Sequence, residues 1–272
     1  MEMLVHDFAP VRSAAGLAAY PALPVRRHTT AEKTRLCDLL VERTRAHLAA
    51  EGFDELRVDS SSAPGSPEIT AVARLDASLA DVCDFGERLL KTVLGGLHPN
   101  DLGWQNAARL RRMVEADHPR FTYREAQQLL EAEGFDARSC EEIGRAAETA
   151  VTRLCADLPV QITGCPAGSR DLDTRLEGFD AQPLERMAYL LPHAGEALRG
   201  WIFEEAPAVP AARSHDSGPL RRAEIVAAFE RCVRPSERPA PRRIGCSVNV
   251  ARLVQYVLGC ESIEEAGSSL PG

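Results

Sequence analysis

NVARLVQYVLGCESIEEA, residues 249–266, is the stretch of the chain with the clearest pattern. Its apolar residues recur at the spacing of one helix, and Arg252 is the one arginine on an otherwise apolar face. The segment before it, which contains Gly245, is predicted to be a strand that leads directly into this helix. The end of the chain therefore predicts a strand-helix unit with a single cation near the start of the helix.

Composition limits the classes of protein to consider. The chain has 272 residues, of which 44% are hydrophobic, enough for one large domain with an appendage. Its formal charge of -8 argues against a general phosphate-binding surface. No apolar run approaches the roughly 20 residues of a membrane span, and the N-terminus lacks the order of a secretory signal. We therefore expect a cytoplasmic protein that does not enter a membrane.

The eight cysteines show no metal-binding pattern. They form no Cys-x-x-Cys pair and have no histidine nearby at ligand spacing. Most of them lie beside Leu, Val or Ala, where a small hydrophobic residue would lie in a reducing compartment. The sequence therefore predicts free thiols and no metal site.

The first regular element follows an irregular lead-in, residues 1–28. Thr29 and Glu32 form a capping box that starts a helix, which runs to Ala50 and stops at Gly52. Its inward stripe is predicted to contain Leu36, Leu40, Val41, Thr44 and Leu48. A strand, ELRVD, follows at residues 55–59.

Helices and strands alternate through the rest of the chain. Ser139 and Glu142 are predicted to cap a helix whose inward residues include Ile143 and Ala146. Thr122 and Glu125 cap another. Further strands are predicted at residues 68–75, 159–163 and 187–192, further helices at 78–94, around Trp104 and at 220–233, and loops at 60–67, 206–219 and 234–243.

Four segments carry one shared resemblance: PRFTYREA at residues 119–126, the turn around Pro166, the pair Gly195 and Glu196, and the final strand-helix. They resemble the class II aminoacyl-tRNA synthetases of the aspartyl and asparaginyl group. In that family a Gly-rich strand enters a helix beginning Glu-Arg-Leu, and Arg252 holds the place of the arginine that clamps ATP. Glu196 holds the place of a carboxylate that serves the magnesium of ATP.

The resemblance implies a fold and an assembly. It implies an α+β domain over residues 29–272, with a mostly antiparallel sheet flanked by helices. It also implies a homodimer formed through the helix Thr30–Ala50, because the corresponding helix of the family lies at the dimer interface.

Other parts of the family's site are missing or rewritten. About eight residues, 60–67, stand where the family has a strand and a long loop whose arginine grips the α-phosphate. Ala71 and Ala73 stand at the positions matched to two paired glutamates. Removing one contact to the reacting group typically costs about 3 to 4 kcal/mol. We therefore expect reduced or lost aminoacylation, and the cofactor stays open because the deletion argues against productive binding of ATP and Mg²⁺.

Transfer RNA is not an expected partner. The family reads the anticodon with a five-stranded barrel ahead of the catalytic domain, and only the irregular residues 1–28 precede it here.

Eight residues are candidates for the site. Catalytic candidates are His193, Glu196 and Arg252, and substrate-binding candidates are Arg120, Cys165, Arg199, Trp201 and Cys246. His193 has the chemistry of a general acid or base, and Arg120 of a carboxylate clamp. The alternatives are a turn histidine for His193, surface or structural ion pairs for Arg252 and Arg120, and core thiols for the cysteines. Trp201 and Phe203 replace polar family residues, so they either line a more apolar pocket or fill space left by the deletion.

The sequence leaves two main classes of function open. The first is a small-molecule enzyme that no longer charges tRNA and acts on an amino-acid-like or carboxylate substrate, in specialised metabolism for example. The second is a non-catalytic, dimeric binding or regulatory protein. Residual ATP-dependent carboxylate activation is a third reading, which a pyrophosphate-exchange assay would detect.

Overall fold

One sheet of seven strands forms the centre of the protein. The computed structural model describes residues 28–59, 67–97, 104–135, 144–166, 174–175, 184–204 and 242–267. The strands are β1 (Glu55–Asp59), β2 (Glu68–Arg74), β3 (Arg120–Thr122), β4 (Val160–Thr163), β5 (Arg186–Leu191), β6 (Gly195–Ile202) and β7 (Arg243–Asn249). They lie in the order β1-β2-β7-β6-β5-β4-β3. The helices are α1 (Thr30–Ala50), α2 (Leu79–Gly95), α3 (Trp104–Glu115), α4 (Tyr123–Ala132), α5 (Arg145–Leu154), α6 (Val250–Leu258) and α7 (Ile263–Gly267).

The pairing of the strands confirms the predicted α+β class. Every neighbouring pair is antiparallel except β3 with β4, which is parallel. The sequence did not predict β3, because three residues are too few to show an alternating pattern and this strand depends on its partner for definition.

Helix α1 begins and ends as predicted. The Thr29 hydroxyl accepts a hydrogen bond from the Glu32 backbone, and the Glu32 carboxylate accepts one from the Thr29 backbone at 2.8 Å. Four of the five predicted inward residues are buried, and Val41 is partly buried. This stripe packs against α2 and α6 of the same chain. The outward side of α1 instead carries the exposed charged residues Arg35, Asp38, Glu42 and Arg45.

Three element boundaries differ from the prediction. The single helix predicted over residues 249–266 is two helices, because Gly259 adopts a left-handed conformation with φ 71° and ends α6. Helix α5 begins only at Arg145, with Gly144 as an N-cap that has no side-chain hydrogen bond, and Ala146 is exposed. Arg243, placed in a loop by the sequence, is the first residue of β7.

Several predicted features lie outside the described residues. They are the lead-in before His28, the capping pair Ser139 and Glu142, most of the loop at residues 60–67, the loop 206–219 and the helix 220–233. Among the helices that the structure describes, none is both long and apolar enough to cross a membrane.

The two sides of the sheet differ in character. On one side, Ile244, Cys246 and Val248 of β7 are buried in the main core with α1, α2 and α6. Helix α2 lies very close to this side: a β-carbon on Gly86 would lie 2.6 Å from Met187 Cε, and one on Gly200 would lie 2.5 Å from Val82 Cγ1. A larger residue at Gly86 would have to displace the Met187 side chain, and one at Gly200 the Val82 side chain.

Helices α4 and α5 cover part of the opposite side of the sheet, with α4 on β3 and β4 and α5 on β5 and β6, around a smaller apolar cluster. The remaining part of that side, which we call the polar sheet face, is formed by side chains of β2, β7, β6 and β5. It includes Glu68, Thr70, Gly245, Ser247, Glu196, Arg199, Trp201 and Arg186. Ala71 and Ala73 point to the core instead. These are the two positions matched to the family's paired glutamates.

Candidate functional site

Trp201 lies flat over β7 at the centre of the polar sheet face. It is paired with Gly245, and a β-carbon on that glycine would lie 2.3 Å from the indole ring. The Trp201 ring meets the edge of Phe203 at a centroid distance of 5.7 Å, and the Arg243 guanidinium lies 4.8 Å from the Phe203 ring. Of the two alternatives for Trp201, this packing favours the one in which the indole fills space above the sheet.

Glu196 is held by two arginines. Arg186 donates a hydrogen bond to Oε2 at 3.0 Å, and Arg199 donates two to Oε1, from Nε at 2.8 Å and from Nη2 at 2.7 Å. The Arg186 side chain is 9% exposed and the Glu196 side chain 24%, whereas the Arg199 side chain is 39% exposed. Both oxygens of the Glu196 carboxylate are therefore paired with guanidinium groups.

This arrangement does not fit a magnesium site. Mg²⁺ requires oxygen ligands at about 2.0 to 2.1 Å, usually from carboxylates and water. Both oxygens of Glu196 already accept hydrogen bonds from guanidinium groups, and a second cation would be repelled by both arginines. Within the part of the chain that the structure describes, no three His, Cys, Asp or Glu side chains are grouped to hold a metal ion. The Glu196 carboxylate in this arrangement is therefore not placed to coordinate Mg²⁺.

A carboxylate lies on the other side of β7 from Arg199. Ser247 is the direct cross-strand neighbour of Arg199, and its hydroxyl donates a hydrogen bond to Glu68 of β2. Glu68 pairs with Asn249, two residues beyond Ser247, so Arg199 and Glu68 are separated by two strand spacings of about 4.8 Å each and are also offset by two residues along the strands. The polar sheet face thus presents a cation and an anion on either side of Ser247.

Arg252 belongs to a different hydrogen-bond network from the one around Glu196. It lies in the first turn of α6, where Asn249 caps the helix, and its Nη1 donates to Gln255 Oε1 at 3.3 Å. The buried Gln255 amide donates in turn to the backbone oxygen of His193 at 3.2 Å. Arg252 is therefore linked to the turn between β5 and β6, and not to the arginine-held carboxylate.

His193 lies at that turn, and its ring faces away from Glu196. Its Nε2 is 3.9 Å from Asp157 Oδ1, and the ring lines a cavity formed with Arg109 and Met113 of α3. Burial lowers the pKa of His193, Asp157 raises it, and Arg153 and Arg109 lower it.

The other three candidates lie apart from the polar sheet face. Arg120 forms ion pairs with Asp84 at 2.6 Å and Glu87 at 3.3 Å, both on α2. Cys165 packs beside the smaller apolar cluster. Cys246 faces the main core, where burial raises the pKa of its thiol.

Of the eight candidates, the structure thus brings Glu196, Arg199 and Trp201 together. Sequence reasoning missed Arg186, Ser247 and Glu68. Arg186 had a usable signal, since it is a charged residue at the start of an otherwise apolar strand.

The described architecture defines a class of protein: the chain has the fold of the class II aminoacyl-tRNA synthetases. Within that class it is similar to asparaginyl- and aspartyl-tRNA synthetases. The asparaginyl-tRNA synthetase from Pyrococcus horikoshii is 15% identical, with 91% of this chain and 69% of that chain covered and a TM-score of 0.72. The same enzyme complexed with asparaginyl-adenylate gives 15% identity, 88% and 68% coverage and a TM-score of 0.71.

An aspartyl-tRNA synthetase from Entamoeba histolytica is 14% identical over 88% of this chain and 58% of that chain, with a TM-score of 0.66. No protein-family model matches the sequence, and no curated protein matches it. At this level of identity the comparisons establish the fold, as the resemblance predicted.

Proposed function

We propose that the chain is a small-molecule enzyme built on the synthetase fold, which does not charge tRNA and acts on an amino-acid-like or carboxylate compound bound at the polar sheet face. The observation that carries this proposal is the capture of Glu196 by Arg186 and Arg199. The carboxylate that would serve the magnesium of ATP in the resembling family is already neutralised by protein cations here.

The same face has the charges that an amino-acid-like ligand needs. Arg199 is the more exposed of the two arginines on Glu196, and a guanidinium binds carboxylates through two parallel hydrogen bonds. Glu68, beyond Ser247, provides a negative group for an ammonium. A ligand with both groups would lie across β7, beside the Trp201 indole, which supplies an apolar surface.

The roles of the chain's own residues follow from these contacts. Arg199 would orient the ligand carboxylate, while Glu196 and Arg186 fix the Arg199 guanidinium in place. Ser247 would hold the Glu68 carboxylate toward the ligand. Arg252 is then a positioning residue, because its path to the site runs through Gln255 and the turn at His193.

Adenylate formation provides the first test. Pyrophosphate exchange is measured with each standard amino acid, ATP and Mg²⁺, and we expect none above the background of heat-denatured protein. Exchange with asparagine or aspartate at a sustained turnover would contradict the proposal and would favour residual carboxylate activation.

Ligand binding provides the second arm of that test. Thermal melting is followed with amino acids and small carboxylates in the absence of ATP, and mass spectrometry identifies any compound that co-purifies. We expect Arg199→Ala to abolish the stabilisation by a bound compound, while Arg124→Ala, at an exposed position of α4, leaves it unchanged. Binding without turnover of any bound compound favours the regulatory-protein alternative.

We also propose that the chain forms a homodimer through α1. The apolar stripe of that helix packs inside the protomer, so a dimer contact would use its charged outward side. Light scattering should give twice the chain mass of 29.6 kDa, and Asp38→Arg combined with Glu42→Arg should shift the mass toward that of one chain. Glu133→Arg, beyond the end of α4, serves as the control. A mass of one chain at every concentration would exclude the dimer.

A further inference from the structure

A second cavity lies at the turn between β5 and β6, away from the polar sheet face. It has a volume of about 280 Å³ and is formed by α3, the segment after α5 and the β5–β6 turn. We call it the hairpin pocket. Its lining includes Arg109, Arg112, Met113, Asp157, Leu158 and His193. None of these residues belongs to the cluster around Glu196.

Backbone strain is concentrated at this pocket. Ala156, Asp157 and His193 have φ of 58°, 55° and 61°, and they are the non-glycine residues with positive φ in the described part of the chain. Such a conformation costs about 1 to 2 kcal/mol for a residue with a β-carbon, and it persists where surrounding contacts hold it. Arg112 holds the first turn by donating to the Ala156 carbonyl at 2.7 Å.

The second strained turn is held in the same way. Arg145 donates to the carbonyl of His193 at 3.1 Å, and Gln255 donates to the same oxygen. The two turns together place the His193 ring 3.9 Å from the Asp157 carboxylate at the mouth of the pocket. Strained backbone of this kind collects at binding sites, where the strain fixes side chains in position.

The pocket is positive, although the whole chain carries a formal charge of -8. Arg109 and Arg112 line it, and Asp157 is the one acidic residue of its lining. Arg109 donates hydrogen bonds to the carbonyls of Tyr256 and Val257 at the end of α6. Its guanidinium also lies over the Tyr256 ring, 4.9 Å from the ring centroid. Its buried Nε meets no hydrogen-bond acceptor among the described residues.

We infer that the hairpin pocket binds a small organic carboxylate, whose acidic group pairs with Arg112, Arg109 and His193 and whose short apolar body lies against Met113 and Leu158. The volume of about 280 Å³ lies just below the range of about 300 to 1,000 Å³ for drug-sized ligands, as expected for a smaller molecule. The site is independent of the one proposed on the polar sheet face, because the two share no residue.

Binding should tighten as the pH falls. Burial and the neighbouring Arg153 and Arg109 lower the pKa of His193, while Asp157 raises it, so the imidazole is largely neutral at pH 8. A bound carboxylate adds negative charge beside the ring and favours the imidazolium, so binding takes up a proton. Carboxylates stay ionised down to pH 6, so only the histidine changes charge over this range.

The test uses butyrate as the probe and the Met113 methyl group as the reporter. The full chain is labelled with ¹³C at the methionine methyls, and the Met113 signal, one of four, is assigned with Met113→Leu. We expect butyrate to shift this signal in a saturable way at millimolar concentration, and butyramide, which lacks the charge, to leave it in place. Affinity at pH 6 should be at least threefold higher than at pH 8, and His193→Ala should remove this difference.

Arg112→Ala and Asp157→Asn are expected to change the affinity for butyrate in opposite directions, so a general loss of folding would not explain both results. Arg112→Ala should weaken butyrate binding at least tenfold, while Arg111→Ala, next to it on the same helix, should change it by less than twofold. Asp157→Asn should tighten binding at pH 8, because it removes the acidic group of the lining. An equal shift with butyramide, no saturable shift, equal losses for Arg111 and Arg112, or weaker binding in Asp157→Asn would each overturn the inference.

Discussion

Arg186→Ala is expected to lower the free energy of unfolding by about 3 kcal/mol, because it leaves Glu196 in a partly buried position with one of its two cations removed. Arg186 is nearly buried, and its guanidinium loses solvation in the folded state in return for the pair with Glu196. Urea denaturation followed by circular dichroism measures the change.

A double-mutant cycle tests the reason for this loss. If the lost pairing between Arg186 and Glu196 causes it, Arg186→Ala combined with Glu196→Ala should be less destabilised than the sum of the two single variants. Arg88→Ala is the matched control, since Arg88 Nη2 lies 3.1 Å from Glu51 Oε2 with side chains that are 54% and 31% exposed. Removal of such an exposed pair should cost less than about 1 kcal/mol. Additive effects at Arg186 and Glu196 would mean that the two groups do not act as a pair.

Gly245→Ala is expected to destabilise the chain by about 2 kcal/mol, because the added methyl group would overlap the Trp201 ring and force the indole off the sheet. The ring is rigid and already packed against Phe203, so it cannot move without losing that contact. Fluorescence of Trp201, measured in a Trp104→Phe background, should shift to longer wavelength as the indole becomes more exposed.

The control for this substitution is Gly144→Ala. A β-carbon at Gly144 would meet nothing within 4 Å, and its φ of -71° is ordinary for any residue. At a helix N-cap without a side-chain hydrogen bond, the change should cost less than about 1 kcal/mol. In a Trp201→Ala background, Gly245→Ala should become nearly neutral. A full loss of stability in that background would mean that the indole is not the obstacle.

The sequence predicted those features of the fold that depend on neighbouring residues. The capping pairs of Thr29 with Glu32 and Thr122 with Glu125 set the starts of α1 and α4, and both are confirmed. The end of α6 was missed because a helical pattern continues past Gly259, and only the backbone conformation of that glycine separates the two helices.

The set of residues that form the candidate site was harder to predict from the sequence. The pair of Glu196 with Arg186 forms across the β5–β6 hairpin, whose register shifts between Tyr189 and Leu190. No pattern among neighbouring residues in the sequence predicts this pair. The position of Cys246 had a signal that was not used. Ile244, Cys246 and Val248 alternate with Gly245 and Ser247, and a strand with this alternation directs its cysteine to the core side.

The near-contact of α2 with the sheet at Gly86 and Gly200 has a mechanical consequence. Met187 Cε lies beside Gly86 of α2, and Val82 of α2 lies beside Gly200 of β6, so the helix cannot slide over β5 and β6 without pushing these side chains against the facing backbone. The strands that carry Arg186 and Arg199 are therefore supported by α2 on the core side of the sheet. A ligand that binds at the polar sheet face meets a rigid surface. A rigid surface favours ligands whose free conformation already matches it. Flexible compounds should therefore bind less tightly than rigid ones that carry the same charges.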